Sequence, residues 1–410
     1  MIVLYDDAVA REFEPFATTR PVSELRAGAL LGRERWALWF GRAVDGCIAA
    51  PHLSRFVEFD APLMASLPLP SGTWLVNARA LPVLGQAIVD TADAIRIGTR
   101  IAAVRLREPL ASLALRDGSL ALESLMPTDA VLHPVDGVWI DAPWDIIRHL
   151  SSQLTHDIPT YAASLGAAAL DVHTAASKGP VILGDAPVFV ESGAHLEPLT
   201  VFDTRGGPIL VRRGATVQAF TRVVGPCYIG CDTIVSGDRI AASSIGDQCR
   251  VHGELSMSVF IGHANKGHDG FVGHSILGRW VNLGAGTITS NLKNTYGSVA
   301  MWTPRGLCDT GLQFAGTFFG DHVKTGIGLR LTTGCVLGAG ANVMDAMPPK
   351  AVAPFSWGAQ TPYDVFERDR FLTTATRMMA RRQVDLDAPQ RDHLSAVIAH
   401  TLADTRWPAR

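Results

Sequence analysis

Lysine and long apolar runs are both scarce in this sequence. Only five of the 410 residues are lysine, and none precedes Lys178, so arginine supplies the positive charge of the first half. The formal net charge of -3 gives no broad electrostatic reason to expect nucleic acid or an anionic membrane as a partner. No apolar run reaches the roughly 18 residues that a membrane-spanning helix needs. The opening MIVLYDDAVARE also lacks the pattern of a signal peptide. We therefore expect a cytoplasmic protein.

Cysteine is also sparse and scattered. The six cysteines include one CxxxC pair, Cys227 and Cys231, and no second pair at zinc-ligand spacing. We expect reduced, mostly buried thiols. Hydrophobic residues make up 47% and charged residues 18% of the chain, which is a globular composition, and 410 residues suggest two or three domains.

A six-residue hydrophobic repeat fills the middle of the chain, with glycine, alanine or small polar residues between the repeating positions. Its four phases are Val190, Leu196 and Phe202; Val211, Val217, Val223, Ile229 and Val235; Leu277 and Leu283; and Phe319, Thr325, Leu331, Leu337 and Val343. This period fits a short strand plus a tight turn, three of which close one coil of about 18 residues. We predict a parallel β-helix over residues 180–347.

The flanking segments have other patterns. Residues 1–150 mix short apolar runs with segments that suit helices, which predicts an α/β domain. Residues 151–179 suit a linking helix, and residues 348–410 predict a mostly helical extension. Inside the repeat, the period is lost at 251–272 and at 292–313, where we expect loops that leave the coil.

The richest functional signal is the stretch 262–294, GHANKGHDGFVGHSILGRWVNLGAGTITSNLKN. It resembles the acetyltransferase half of the GlmU family, which joins an N-acetylglucosamine-1-phosphate uridyltransferase to a glucosamine-1-phosphate acetyltransferase. That family has a KxGH run followed by VNIGAGTITCN. The resemblance implies a left-handed coil, with His268 as the catalytic base and with Asn282 and Asn291 as active-site asparagines.

The same resemblance implies the cofactor and the assembly. Acetyl-CoA, or another acyl-CoA, is expected beside Ala285, Lys324 and Ala339. A homotrimer is expected, with the acyl-CoA sites between neighbouring coils. The implied acceptor is the amine of an amino-sugar phosphate such as glucosamine-1-phosphate. This chemistry suits His268, because an ammonium group cannot attack a thioester until a neutral imidazole has removed its proton.

Two departures from the family concern substrate binding. Phe271 stands where the family has a tyrosine, and Ser256 lies near where a phosphate-binding lysine is expected. The phosphate must then be bound by other cations, and the candidates are Lys266, Lys293 and Lys324. Lys293 is favoured because it follows an asparagine of the motif as a family lysine does, at shorter spacing.

Structural explanations compete with these roles. A histidine in a turn can make only a structural hydrogen bond, and asparagine is favoured in tight turns for its backbone conformation. The neighbouring His252, His263, His274 and His322 are expected to be solvated or turn residues. Because coils that resemble γ-class carbonic anhydrase bind zinc with three histidines, a zinc enzyme is a rival interpretation. The NLGAGTITSN motif argues against it.

The first half has a motif of its own, TTRPVSELRAG at residues 18–28. It resembles a divergent branch of the same family, in which TRPVxxLRxG replaces the usual phosphate loop and FSWG and MARR follow the coil, as they do here. Arg20, Arg26 and Arg33 would then bind the phosphates of a nucleotide. Arg20 and Arg26 could equally form structural ion pairs with Glu24, Glu34 or Asp6.

Nucleotidyl transfer also needs Mg²⁺ held by carboxylates, and the candidates are Asp141 and Asp145. They could equally be a turn residue and a helix N-cap residue. Asn77 stands where the usual metal motif has an aspartate.

We therefore expect a GlmU-like acyltransferase with possible nucleotidyl transfer in its first half. Its expected partners are a sugar phosphate, a nucleotide and acyl-CoA. The alternative is a nucleotidyltransferase whose coil serves only as an oligomerisation and regulatory platform.

Overall fold

The computed structural model describes residues 1–86, 91–170 and 179–410, and it divides into two compact units. The first unit comprises Met1–Leu25, Leu30–Asp145 and Asp387–Ala403, and the second comprises Arg26–Ala29, Ile146–Leu386 and Asp404–Arg410. We call them the N-terminal unit and the coil unit. None of the helices in the described ranges is long and apolar enough to cross a membrane.

The N-terminal unit is built on a mixed six-stranded sheet. In spatial order its strands are Gly46–Ile48, Ile2–Tyr5, Trp74–Asn77, Arg100–Arg105, Ala94–Ile97 and Leu132–Val135. A separate antiparallel pair joins Ala80–Pro82 to Gly137–Trp139. The α-helices wholly inside this unit are Gly32–Phe40, Leu113–Asp117 and Ala388–Ala403. Apolar residues cover both faces of the sheet, as the α/β prediction requires.

The helix Gly32–Phe40 shows how local sequence sets an element boundary. The carboxylate of Glu34 accepts a hydrogen bond from the Leu31 N–H, which satisfies a free donor at the helix start. The helix ends at Gly41, whose φ of 67° is the left-handed cap that glycine adopts most readily.

The coil unit is a left-handed parallel β-helix, which confirms the predicted fold class. Its longest face has the strands Ala168–Ala169, Val188–Val190, Ile209–Val211, Cys227–Ile229, Ser244–Ile245, Val259–Phe260, Ile276–Leu277, Phe318–Phe319, Val336–Leu337 and Ala351–Val352. The first strand, Ala168–Ala169, is antiparallel to its neighbour, and the other strands of this face are parallel. The aliphatic residues of the repeat point inward and form one continuous core.

The other two faces are interrupted. The second face contains Val181–Leu183, Val201–Asp203, Thr221–Val224, Asp238–Ala241, Leu255–Ser256 and Val272–Gly273, and a separate pair, Ile288–Thr289 with Arg330–Leu331. The third contains His195–Leu196, Thr216–Val217, Ile234–Val235, Arg250–Val251 and Asn265–Lys266, then Lys324–Thr325, Asn342–Val343, Ser356–Gly358 and Asp364–Val365.

The two predicted interruptions of the repeat have different outcomes. The loop predicted at 292–313 is confirmed, because the chain leaves the coil there and forms the hairpin Ala300–Thr303 with Gly306–Asp309. The prediction of a loop at 251–272 is wrong. The coil continues through this stretch with shorter spacing, and Val251 pairs with Lys266 only fifteen residues later.

Helices flank the coil in sequence. The predicted linking helix of 151–179 corresponds to the helix Leu150–Ser164, which follows the short helix Asp145–Arg148. Residues 171–178 of the predicted segment lie outside the described residues. After the coil comes Arg368–Ala380, which packs on the last turns through Phe371 and Phe355, whose ring centroids are 5.1 Å apart. All six cysteines are free and four are buried, as the sequence predicts.

Candidate active site

His268 lies in the turn that follows the strand Asn265–Lys266, and its side chain is exposed. It lines an open pocket with Ser236, His252 and Asp269, and the next coils contribute Ala285, Gly286, Ile327 and Gly328. The imidazole of His268 makes no hydrogen bond to any residue in the described parts of the chain. It is therefore available to a substrate.

Gly270 allows this turn to pass under the next coil. Its φ is 126°, a conformation that other residues rarely adopt. A Cβ added at this position would lie 2.3 Å from the backbone oxygen of Thr287, so even alanine would displace the turn. On the far side of the turn, the Gly286 N–H donates to the carbonyl of Asp269 at 3.0 Å.

Lys266 occupies a core position of the coil. It pairs in register with Val251, where the repeat has an inward aliphatic residue, and only 2% of Lys266 is exposed. Its ammonium group donates to the carbonyls of His252 at 2.7 Å and His268 at 2.6 Å. Burial lowers the pKa of Lys266 to about 8. The expected phosphate contact does not fit this enclosed position.

Asn282, one of the two motif asparagines, does not line the His268 pocket of the same chain. Its amide oxygen accepts a hydrogen bond from Asn265 Nδ2 at 2.8 Å. Together they line a small recess with His263, Trp280, Met378, Arg381 and Arg382. Met378 belongs to the end of the helix Arg368–Ala380 and the two arginines follow that helix, a segment that the sequence did not connect with Asn282.

Asn291 belongs to a third group, where the loop 291–315 leaves the coil. Its Nδ2 lies 2.9 Å from Nδ1 of His274, and His274 stacks on Phe314 with ring centroids 5.2 Å apart. Burial lowers the pKa of His274 to about 4, so its ring is neutral at pH 7 and can accept from the amide. Phe271 lies close by, since a Cβ added at Gly273 would contact both Phe271 and Asn291.

The remaining candidates differ in accessibility. Lys293 is partly exposed, and its ammonium makes no hydrogen bond within the described ranges, so it is free to meet an anion. Lys324 donates to the His322 carbonyl at 3.1 Å, and burial lowers its pKa to about 8. Ala285 lines the His268 pocket, whereas the side chain of Ala339 is buried.

The arginines of the first-half motif are engaged within the protein. Arg20 is 2% exposed and pairs with Glu58 at 2.7 Å, and Arg33 pairs with Glu24 at 2.9 Å. Arg26 belongs to the coil unit, where it is buried, donates to the Ala29 carbonyl at 2.6 Å and lies over the ring of Tyr228. These contacts favour the structural interpretation of the three arginines.

The predicted Mg²⁺ ligands are also occupied by protein groups. Asp141 forms ion pairs with Arg79 and Arg100. Asp145 Oδ2 accepts from the backbone N–H groups of Asp141 and Ala142 at 2.9 and 3.0 Å. These donors precede the helix Asp145–Arg148, so the two bonds hold the turn before the helix and are not those of an N-cap residue. Because a guanidinium already neutralises Asp141 and Asp145 is bonded to this turn, the pair does not fit a Mg²⁺ site.

Arg79 is the centre of a network that the sequence did not reveal. It is 3% exposed and pairs with Asp7 at 2.6 Å as well as with Asp141. Asn77, which replaces the expected aspartate, donates to Asp7 at 2.9 Å. The hydrogen bonds and charge of Arg79 lower the pKa of Asp7 despite its burial.

One metal-type cluster occurs in the described parts of the chain. Asp238, His252 and Asp269 bring one ligand atom each to within 4.8 Å of one another, beside the His268 pocket. It contains one histidine, so it is not the three-histidine site of the zinc rival.

Comparisons with known proteins agree with the two-part architecture. Residues 2–164 match the model of the sugar nucleotidyl transferase family. The chain is 24% identical over 204 residues to the bifunctional protein GlmU of Desulfitobacterium hafniense, covering 43% of this chain and 41% of that protein. It is 32% identical over 186 residues to GlmU of Carboxydothermus hydrogenoformans, covering 40% and 38%.

A third relative is the bifunctional sugar-1-phosphate nucleotidylyltransferase/acetyltransferase of Sulfurisphaera tokodaii, which is 32% identical over 90 residues, or 22% of each chain. These matches span between about a fifth and two fifths of the length of the curated relatives. Over part of its length the chain is thus similar to bifunctional GlmU-like proteins, and its first part matches the sugar nucleotidyl transferase family.

Proposed function

We propose that the coil unit transfers an acyl group from acyl-CoA to the amine of an amino-sugar phosphate such as glucosamine-1-phosphate. The observation that carries this proposal is the exposed, unpaired imidazole of His268 in an open pocket, within a segment that resembles an acetyltransferase motif. The relative from Sulfurisphaera tokodaii, which is named an acetyltransferase, supports the same reaction class. Acetyl-CoA is the proposed donor.

The proposed reaction begins with the acceptor amine in the His268 pocket, where the amine arrives as an ammonium group. His268 would take one proton from that ammonium. The free amine then attacks the thioester carbonyl, a C–N bond forms and the C–S bond breaks. The leaving thiolate recovers a proton from the imidazolium, and the second proton that the nitrogen loses as it becomes an amide goes to solvent.

Phosphate binding is proposed for Lys293, and an oxygen-rich sugar is proposed to contact Asn282 and Asn291. These groups lie in separate recesses of one chain, so the proposed homotrimer would complete the site by placing neighbouring coils together. Ile327 supports contact with a neighbouring coil, because its side chain is 81% exposed at the edge of the His268 pocket. A side chain this apolar and exposed suits contact with another chain or with the pantetheine arm of acyl-CoA.

For the N-terminal unit, the family match supports sugar nucleotidyl transfer as the reaction class. The ion pairs of Arg20 and Arg33, and the hydrogen bonds of Asp145 to the turn before its helix, leave these residues without a part in our proposal. Release of pyrophosphate from a nucleoside triphosphate and a sugar-1-phosphate tests this activity separately.

The first test is release of free thiol from acetyl-CoA with glucosamine-1-phosphate and a panel of other amino-sugar phosphates. Loss of a general base costs roughly 10²- to 10⁴-fold in rate, so His268→Ala should lose that much activity. His195→Ala is the control, because His195 is also exposed on the coil but lies outside the pocket. Wild-type protein without thiol release from any amino sugar would favour the platform alternative.

A further inference from the structure

Three ligand-type side chains converge at the edge of the His268 pocket. Nε2 of His252 lies 2.9 Å from Oδ1 of Asp269 and 3.7 Å from Oδ2 of Asp238. The two aspartates come from different coils, and His252 lies between them in sequence. All three are partly or fully accessible to solvent. Neither carboxylate receives a hydrogen bond from a lysine or arginine within residues 1–86, 91–170 and 179–410.

The ring of His252 is held from behind. Its Nδ1 faces the carbonyl of Ser236, so Nδ1 must carry the proton and donate. Gly237 packs against the ring, since an added Cβ would lie 3.2 Å from both Cε1 and Nδ1. In metal sites, a ligating histidine almost always donates its other ring nitrogen in this way, which fixes the tautomer and the direction of the ligand atom.

Nε2 of His252 is thereby directed at the carboxylate oxygens of Asp238 and Asp269. A cation shared by these three atoms would offset the mutual repulsion of the two carboxylates. The carbonyl of His252 itself is held by the buried ammonium of Lys266, which fixes the backbone of this residue as well. The arrangement is therefore preorganised for a cation.

We propose that Asp238, His252 and Asp269 form a binding site for a divalent transition-metal ion such as Zn²⁺ or Mn²⁺. One imidazole and two carboxylates suit these ions better than Mg²⁺ or Ca²⁺, which prefer oxygen ligands alone. Three protein ligands leave coordination positions open toward the pocket.

This site deepens the proposed function and rests on it for its role. A phosphate oxygen of the acceptor would occupy an open position of the ion. The ion would thereby supply positive charge on a coil face where Ser256 replaces the expected lysine and Lys266 is turned inward. The pocket would then bind a sugar phosphate although its own side chains are acidic.

Metal binding is tested on full-length protein without a polyhistidine tag, after treatment with chelator. Equilibrium dialysis measures Zn²⁺, and electron paramagnetic resonance measures free Mn²⁺. We expect one ion per chain, and a dissociation constant at least about tenfold higher in His252→Gln and in Asp269→Asn. The matched control is His195→Gln, an exposed coil histidine outside the cluster, which should bind as the wild type does.

The outcomes separate this proposal from the proposed function, because the binding assay contains no substrate. Binding of neither ion, or equal binding by wild type and His252→Gln, overturns the metal site, and the contact between His252 and Asp269 is then only a hydrogen bond within the protein. Stoichiometric binding that the two variants lose supports the site even if thiol release is absent. If the protein both binds the metal and releases thiol, added chelator should raise the KM for the sugar phosphate in the wild type and not in His252→Gln.

Discussion

The buried ammonium group of Lys266 donates a hydrogen bond to the backbone carbonyl of His268, two residues away, at 2.6 Å. A second bond from the same nitrogen reaches the carbonyl of His252 in the preceding coil. A core lysine thus ties together the backbones of both histidines that line the pocket. Lys266 occupies a core position where the repeat usually has an aliphatic residue, and its hydrogen bonds support the pocket.

Replacement of Lys266 by methionine should loosen the turn of His268. Methionine fills the core position but cannot donate, and each hydrogen bond to a charged group contributes about 1.5 to 3 kcal/mol. We expect faster amide hydrogen exchange in a peptide spanning 262–272 and a lower kcat for thiol release. Val251→Met, in the same inward position of the adjacent coil, is the control. Unchanged exchange in Lys266→Met would remove the positioning role.

The stability of the coil should depend on pH through Lys266. Its pKa falls from the ordinary 10.5 to about 8 on folding, so between these values the unfolded chain binds more protons than the folded chain. The contribution of Lys266 to the free energy of unfolding therefore rises as the pH increases from 8 to 10.5, by up to about 3 kcal/mol.

Denaturant unfolding of wild type and Lys266→Met at pH 7.5 and pH 10.5 isolates this contribution, because the other titrating groups are common to both proteins. The stability of the wild type relative to the variant should increase at the higher pH. Val251→Met, which leaves Lys266 in place, should follow the wild type. A difference that is constant with pH would contradict the assignment.

Arg79 should be far more important for stability than its partner Asp141. Arg79 is buried and pairs with two aspartates, so Arg79→Met leaves Asp7 uncompensated and should destabilise the N-terminal unit by about 3 to 5 kcal/mol. The side chain of Asp141 is 60% exposed, and Asp141→Asn should cost about 1 kcal/mol or less. Thermal unfolding measures both. Loss of nucleotidyl transfer in a stable Asp141→Asn protein would instead favour the predicted metal role.

Gly270 should tolerate no side chain, whereas Gly306 should tolerate one at moderate cost. Both have positive φ, 126° and 108°, but a Cβ at Gly270 would meet the Thr287 oxygen at 2.3 Å and a Cβ at Gly306 would meet nothing within 4 Å. Backbone strain of this kind costs about 1 to 3 kcal/mol in either variant. Gly270→Ala should in addition reduce thiol release, and equal activity of the two variants would show that the turn can shift without harm.

Much of the coil could be predicted from short stretches of sequence. Inward residues such as Val217 and Val235 belong to short strands followed by tight turns, so their direction follows from positions close to them in the chain. The period therefore predicted the fold and the confirmed loop after Leu292, whereas His268 was singled out by the motif resemblance. The handedness came from the motif resemblance, since a period has no hand.

Contacts between coils depend on how many residues each coil contains, and that number is a property of the folded chain. The coil from Val251 to Lys266 has fifteen residues and the one from Asn265 to Asn282 has seventeen. This difference decides which side chains stack. The coil lengths place Lys266 in the core and bring His252 beside Asp269. They also place Asn282 in one recess with Arg381 and Arg382, which are distant in the chain.

The same reason applies to the N-terminal unit. The sequence offered Glu24, Glu34 and Asp6 as partners for Arg20, and the structure adds an ion pair with Glu58, which is distant in the chain. Long-range pairs such as this one, and the Arg79 network with Asp7 and Asp141, form only when packing brings the charges together in a poorly solvated place. Local patterns therefore predicted the architecture and the motif residues, while packing between distant segments set the partners of each charged group.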